Sequence, residues 1–168
     1  MFFHFLKKKQ SFITYHATVI PNRGALLEVE TDKQGNLYVH INKVRKLPLN
    51  VFLGALGIDQ KTMLKKIINK NLMKQTIEKS GITETDDSLR EVYYRLKPGD
   101  PFNNEAANNL IKGLFFTSKT YDLGKVGRYK MNNRLKLKVD KDEVLLTQDD
   151  IFAVVNELCR LISKEGLT

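Results

Sequence analysis

The chain has 168 residues, 42% of them apolar, enough for one domain with a real core and too many for a wholly disordered chain. Twenty-eight Lys and Arg against 19 Asp and Glu leave a net charge of +9, which suits a polyanionic partner because each neutralised phosphate releases condensed counterions. A single cysteine, Cys159, excludes an internal disulfide framework, and three scattered histidines permit no familiar zinc spacing. The apolar run at residues 1–6, ended by three lysines, is far short of the roughly 20 residues a membrane span needs, and its order is the reverse of a signal peptide's.

Charge is polarised along the chain. Residues 119–138 hold seven Lys or Arg and one acid, Asp122, and residues 33–46 hold Lys33, Lys43, Arg45 and Lys46 with no acid. After Val139 the balance reverses, with Asp140, Asp142, Glu143, Asp149 and Asp150.

In chain order, Ser11–Ile20 alternates polar and apolar residues with β-formers and predicts a half-buried strand, broken by Pro21-Asn-Arg-Gly24. Ala25–Thr31 and Asn36–Asn42 predict two further strands around the turn Asp32–Gly35. Together they form an antiparallel meander whose buried face draws on Leu26, Val29, Leu37, Val39 and Ile41. Pro48 then opens a helix that Gly57 closes. Asp59 caps the next, which carries Met63, Leu64, Ile67, Ile68 and Leu72 on one face and Lys61, Lys65, Lys66 and Lys70 largely on the other.

A third helix starts at Thr83 or Thr85, carries Leu89, Val92 and Tyr93, and stops before Pro98. Asn103 or Asn104 caps a fourth, with Ala106, Ala107, Leu110, Ile111 and Leu114 at helical spacing. Thr147-Gln-Asp-Asp150 has the form of a capping box and precedes an apolar stripe of Ile151, Val154, Val155, Leu158, Leu161 and Ile162 that needs a partner surface. The fold class expected is α+β, a small antiparallel sheet followed by a cluster of helices.

No nucleophile stands beside a base, and neither a P-loop nor a GxGxxG run is present. The pairs Asp86-Asp87 and Asp149-Asp150 sit at helix starts, where capping accounts for them without a metal. No catalytic residue and no metal ligand is expected in this chain.

Tyr121-Asp-Leu-Gly-Lys-Val-Gly-Arg-Tyr-Lys-Met-Asn-Asn-Arg134 resembles the YDL-x-x-VGR-x-K-x-N signature of the bacterial and plastid RNA polymerase β subunit. Val19-Ile-Pro-Asn-Arg-Gly24, Arg45-Lys-Leu-Pro48, Arg95-Leu-Lys-Pro-Gly-Asp-Pro101 and Leu114-Phe-Phe116 resemble further runs of that family, in family order. The resemblance covers about Ala17 to Ile162, and the sequence after Arg134 is most similar to cyanobacterial and plastid members. It implies the β lobe of that subunit, as a fragment or split-gene piece: a non-catalytic module of a nucleotidyltransferase that borders the downstream DNA channel and faces the clamp. Three parts follow: an idiosyncratic segment 1–16, a lobe domain 17–140, and a C-terminal helix in 141–168 returning toward an absent protrusion region.

The implied partners are the remaining β-subunit sequence, β′ and the other polymerase subunits, and DNA. No cofactor is expected in this chain, because the family holds its catalytic magnesium in β′, and the implied location is a plastid or the bacterial cytoplasm. The alternative is a free-standing basic RNA-binding or ribosome-associated protein, supported only by charge.

Candidate DNA contacts are Arg23, Lys43, Arg45, Lys46, Arg128 and Lys130. Arg23 can grip a phosphate at two points or pair with Glu28. Lys43, Arg45 and Lys46 sit at a strand exit, where backbone contact with DNA and protection of a sheet edge are both open readings. Arg128 and Lys130 are set against DNA or an acid of another subunit, while Tyr121, Leu123, Val126 and Tyr129 read as packing residues that tie the lobe to its neighbour. Lys97, Pro98, Gly99, Asp100 and Pro101 resemble the family's gate loop, although Phe102 and Asn103 stand where relatives carry polar or small residues.

Overall fold

The computed structural model describes the backbone of residues 7–9, 12–43 and 45–164 and the side chains of 14–43 and 46–163. Strands β1 (Lys7–Lys9) and β2 (Phe12–Thr14) form a small antiparallel hairpin that pairs Lys8 with Ile13. The strand expected over Ser11–Ile20 is therefore split between two sheets. The break falls at Tyr15, which is buried and held by the main sheet: its N–H donates to Thr31 Oγ1 at 3.2 Å, and its carbonyl accepts from the Thr31 N–H at 2.9 Å.

The main sheet is an antiparallel meander of β3 (His16–Val19), β4 (Leu27–Thr31), β5 (Leu37–Ile41) and β6 (Arg45–Pro48) in that order. In β4 and β5 the period of two sends Leu27, Val29, Leu37, Val39 and Ile41 into the core and leaves Glu28, Glu30, Tyr38 and His40 on the outer face. Leu27, and not Leu26, is the buried leucine, since a one-residue shift in a strand exchanges the two faces. Strand β6 lacks an alternating pattern and is a strand because of pairing, Val39 with Leu47 and Ile41 with Arg45. Asn42 and Lys43, at φ 54° and 60°, turn the chain back into it.

Helix α1 (Leu49–Ala55) begins after Pro48 as expected, and all seven of its residues are buried. Its Gly54 is required by close approach: a Cβ there would come within 2.7 Å of Ser88 Cβ on α4 (Thr85–Leu96). The expected second helix is in fact two, α2 (Gln60–Lys66), capped by Asp59, and α3 (Lys70–Ser80), capped by Asn69. Asn156 of α7 (Gln148–Lys164) stitches the break, its Oδ1 accepting from the Ile68 N–H at 2.9 Å and its Nδ2 donating to the Lys66 carbonyl at 3.0 Å. Ile68, expected on the apolar face, consequently points to solvent. Helices α5 (Asn104–Phe115) and α6 (Gly124–Leu135) complete the layer.

One hydrophobic core runs from Tyr15 to Ile162. The stripe of α7 that lacked a partner in the sequence is covered by the chain itself, against β3 and α6: Ile151, Val154, Val155, Leu158 and Ile162 are buried. Burial also pushes the Cys159 thiol up to about 11. The described residues before and after residue 140 share that core.

Candidate nucleic-acid interface

Helix α6 carries the centre of the signature run, and its arginine points inward. Arg128 is fully buried, with Nη1 2.7 Å from Asp150 Oδ1 and Nη2 2.8 Å from Asp150 Oδ2. Its Nε donates to the Glu143 carbonyl at 2.6 Å and Nη2 also donates to the Leu145 carbonyl at 2.8 Å. A guanidinium so enclosed reaches neither an external phosphate nor an acid of another subunit, and Arg128 is withdrawn as a DNA contact. Asp150 closes the expected capping box as well: its Oδ2 accepts from the Thr147 N–H at 2.8 Å, and its own N–H donates to Thr147 Oγ1 at 3.1 Å.

Around that pair Tyr121 and Leu123 are buried, the Tyr121 ring lying 5.7 Å from that of Phe115. Burial, with the nearby Asp150 charge second, raises the pKa of the Tyr121 phenol well beyond its usual range and keeps it neutral. Val126 and Tyr129, grouped with these in the sequence, are each 66% exposed and take no part in this chain's core. Lys130 is exposed on the same helix.

Arg23 lies in the turn after β3, bound to the start of the signature run. Its N–H donates to the Asp122 carbonyl at 3.0 Å, the Asp122 N–H returns a bond of 2.8 Å, and Arg23 Nη2 donates to the Ser118 carbonyl at 2.7 Å. Glu28, the rival partner, instead accepts from Thr18 Oγ1 at 3.1 Å. Gly24 permits this approach at φ 117°, since a Cβ there would fall 2.6 Å from the Thr120 carbonyl oxygen. Arg23 is exposed.

Lys43 is exposed on the β5–β6 turn, whereas Lys46 is exposed but engaged, with Nζ 3.7 Å from Glu30 Oε1 and 4.1 Å from the centre of the Tyr38 ring. The side chain of Arg45 lies outside the described residues. Because Val19 pairs with Leu27, Leu27 with Ile41 and Ile41 with Arg45, the Arg23 turn and the Lys43 turn are at the same end of the sheet. A groove of about 420 Å³ lined by Ile20, Asn22, Val126 and Lys130 joins α6 to that end.

The outer sheet face also assembles a group invisible in linear spacing. Glu28, Glu30 and His40 bring three potential ligand atoms within 4.8 Å of one another, a set able to hold a cation. Partners within the chain already occupy it: besides the Thr18 bond, Glu30 Oε1 lies 2.7 Å from His40 Nε2 and next to the Lys46 ammonium. At the sheet's end, burial pushes Asp32 up, but hydrogen bonds from Asn36, Lys79 and Gln34 outweigh it and hold its carboxyl below the ordinary value.

All five residues of the Lys97–Pro101 loop are exposed, and the Asp100 N–H closes a turn onto the Lys97 carbonyl at 3.2 Å. Phe102 anchors the loop to α4, its ring 5.7 Å from that of Tyr93 and under the Arg90 guanidinium at 4.3 Å. Among the described residues no helix is long and apolar enough to cross a membrane.

A four-stranded meander backed by helices, with most of the Tyr121–Arg134 run forming α6 and its Arg128 paired to Asp150 of α7, makes an α+β domain. The chain belongs to the family RNA polymerase Rpb2, domain 2, whose model matches residues 3–166, taking in the N-terminal segment and α7 as well as the motif-bearing middle. It is 41% identical to the DNA-directed RNA polymerase subunit beta of Thermosynechococcus vestitus over 148 residues, 88% of this chain and 13% of that subunit. It is likewise 41% identical to the same subunit of Synechocystis sp. over 155 residues, 92% of this chain and 14% of the relative. Cyanobacterial similarity is what the sequence after Arg134 led one to expect.

Proposed function

We propose that this chain is the lobe of a DNA-directed RNA polymerase β subunit, a non-catalytic module that lines the downstream DNA channel and faces the clamp. The observation that supports a DNA-facing role is the placement of Arg23 and Lys43 at one end of the sheet. Neither has an acidic side chain among its described partners. Such cations suit sequence-independent contact with phosphates, which positions a duplex without reading it. The exposed, turn-closed Lys97–Pro101 segment suits a gate loop, with Phe102 holding its base.

In this reading the chain shapes the channel while the magnesium chemistry of RNA synthesis belongs to β′, and no step of that chemistry is assigned to a residue here. Its partners are the rest of the β subunit, β′ and DNA, in a plastid or the bacterial cytoplasm. Titration against two unrelated duplexes at two salt concentrations tests the DNA role. The expected dissociation constants are about 10⁻⁴ to 10⁻⁶ M at physiological salt, equal for both sequences. Joint replacement of Arg23 and Lys43 by alanine lowers the salt slope by about two phosphate contacts. Tight, sequence-selective, salt-insensitive binding, or a slope unchanged by the substitutions, overturns the reading.

A further inference from the structure

The groove between α6 and the β3–β4 turn carries features that the fold does not use. Among the described residues five large apolar side chains are exposed, and three of them, Ile20, Val126 and Tyr129, belong to this face. Ile20 and Val126 line the groove, and Tyr129 stands one turn beyond Val126 on the same side of α6. An apolar cluster of this kind on an otherwise polar surface marks an interaction site. Lys125 and Lys130 flank it, and neither has an ion-pair partner among the described residues.

Gly127 is the second, independent sign. Glycine inside a helix is destabilising relative to alanine, so it calls for a reason. Its neighbour Gly124 has one, a φ of 74°, but Gly127 is helical, and a Cβ added to it would meet only Leu123 Cβ at 3.7 Å, an ordinary contact. Nothing within the described chain requires bare backbone there. Gly127 lines the groove between Val126 and Lys130, where the missing side chain lets an outside group approach the helix closely.

We propose that this groove docks an acidic protein segment with an apolar anchor residue, supplied by β-subunit sequence outside this chain; this rests on the β-subunit reading above. The anchor covers Ile20 and Val126 and packs over Gly127, and flanking carboxylates meet Lys125 and Lys130. A protein fits better than a nucleic acid, because Ile20 and Val126 offer neither a π face to a base nor a donor to a phosphate. Only Tyr129 could serve a base.

The test is an array of short overlapping peptides tiling the Synechocystis β subunit outside the 155 matched residues, probed with the full chain. The expected hits place an apolar residue within a few positions of Asp or Glu. Gly127→Ala weakens their binding about tenfold or more while the melting temperature holds or rises, and the joint reversal Lys125→Glu, Lys130→Glu weakens it similarly. Absence of any hit that depends on these positions overturns the proposal, as does Gly127→Ala binding unchanged. A single-stranded oligonucleotide that binds through Tyr129 where no peptide does also overturns it, in favour of a nucleic-acid surface. If the duplex titration succeeds and the array fails, the docking site alone is wrong; if both fail, the DNA-channel role proposed above falls with it.

Discussion

Arg128 and Asp150 form a two-point ion pair with neither side chain reaching solvent, and 22 residues of sequence separate them. The guanidinium is saturated, because the Glu143 and Leu145 carbonyls and, at 3.4 Å, Asn132 Oδ1 take its remaining donors. Such a pair need not stabilise more than apolar packing would, since two charges have been taken from water. What it provides here is register: α6, the 143–145 segment and the start of α7 meet in the arrangement that satisfies every donor.

Removing one partner leaves the other charged and buried. Asp150→Ala should lower stability by about 3–5 kcal/mol. The double replacement Arg128→Met, Asp150→Leu should lose far less than the two single changes added together. Urea unfolding of the four proteins measures the coupling; additive losses would show that the pair does not act as a unit.

Truncation after Asp140 removes α7, strips the cover from β3 and orphans Arg128. The remaining residues should lose cooperative unfolding, and amide protection in α1 and α4 should collapse with it. A sharp melt retained by residues 1–140 would mean that the core closes without α7.

Asn156→Ala severs both bonds that bridge the α2–α3 break, at Lys66 and Ile68. Water can reach both backbone groups, so the expected loss is modest, about 0.5–1.5 kcal/mol. Hydrogen exchange should quicken at Ile68 and its neighbours while the buried α1 is unaffected.

Asp32 titrates lower in the fold than its ordinary value of 3.8. A depressed carboxyl contributes stability above the unfolded pKa that disappears as pH falls through the folded one. Wild type should therefore exceed Asp32→Asn in melting temperature near neutrality, and the gap should close in acid, below about pH 4. A gap constant with pH would remove the carboxylate from the argument.

The meander, the caps at Asp59, Asn103 and Thr147, and the α+β order were legible in the chain because each rests on local physics: strand alternation, a side-chain oxygen at a helix start, a proline or glycine at a boundary. The family was legible for a different reason, the unbroken run from Tyr121 to Arg134. Nothing local could show that Arg128 points inward, since the carboxylate that neutralises it lies in another helix; read singly, the arginine of a basic run looks like a surface cation. Strand β6 exists only through its pairing with β5, the α2–α3 break is held by a side chain of α7, and the Glu28, Glu30 and His40 group needs two strands in register. The apolar stripe of α7 announced that it required a partner. Which surface met it, that of this chain's own β3 and α6, was a matter of tertiary packing, because burial depends on what the folded chain brings alongside and one helix's periodicity carries no record of that.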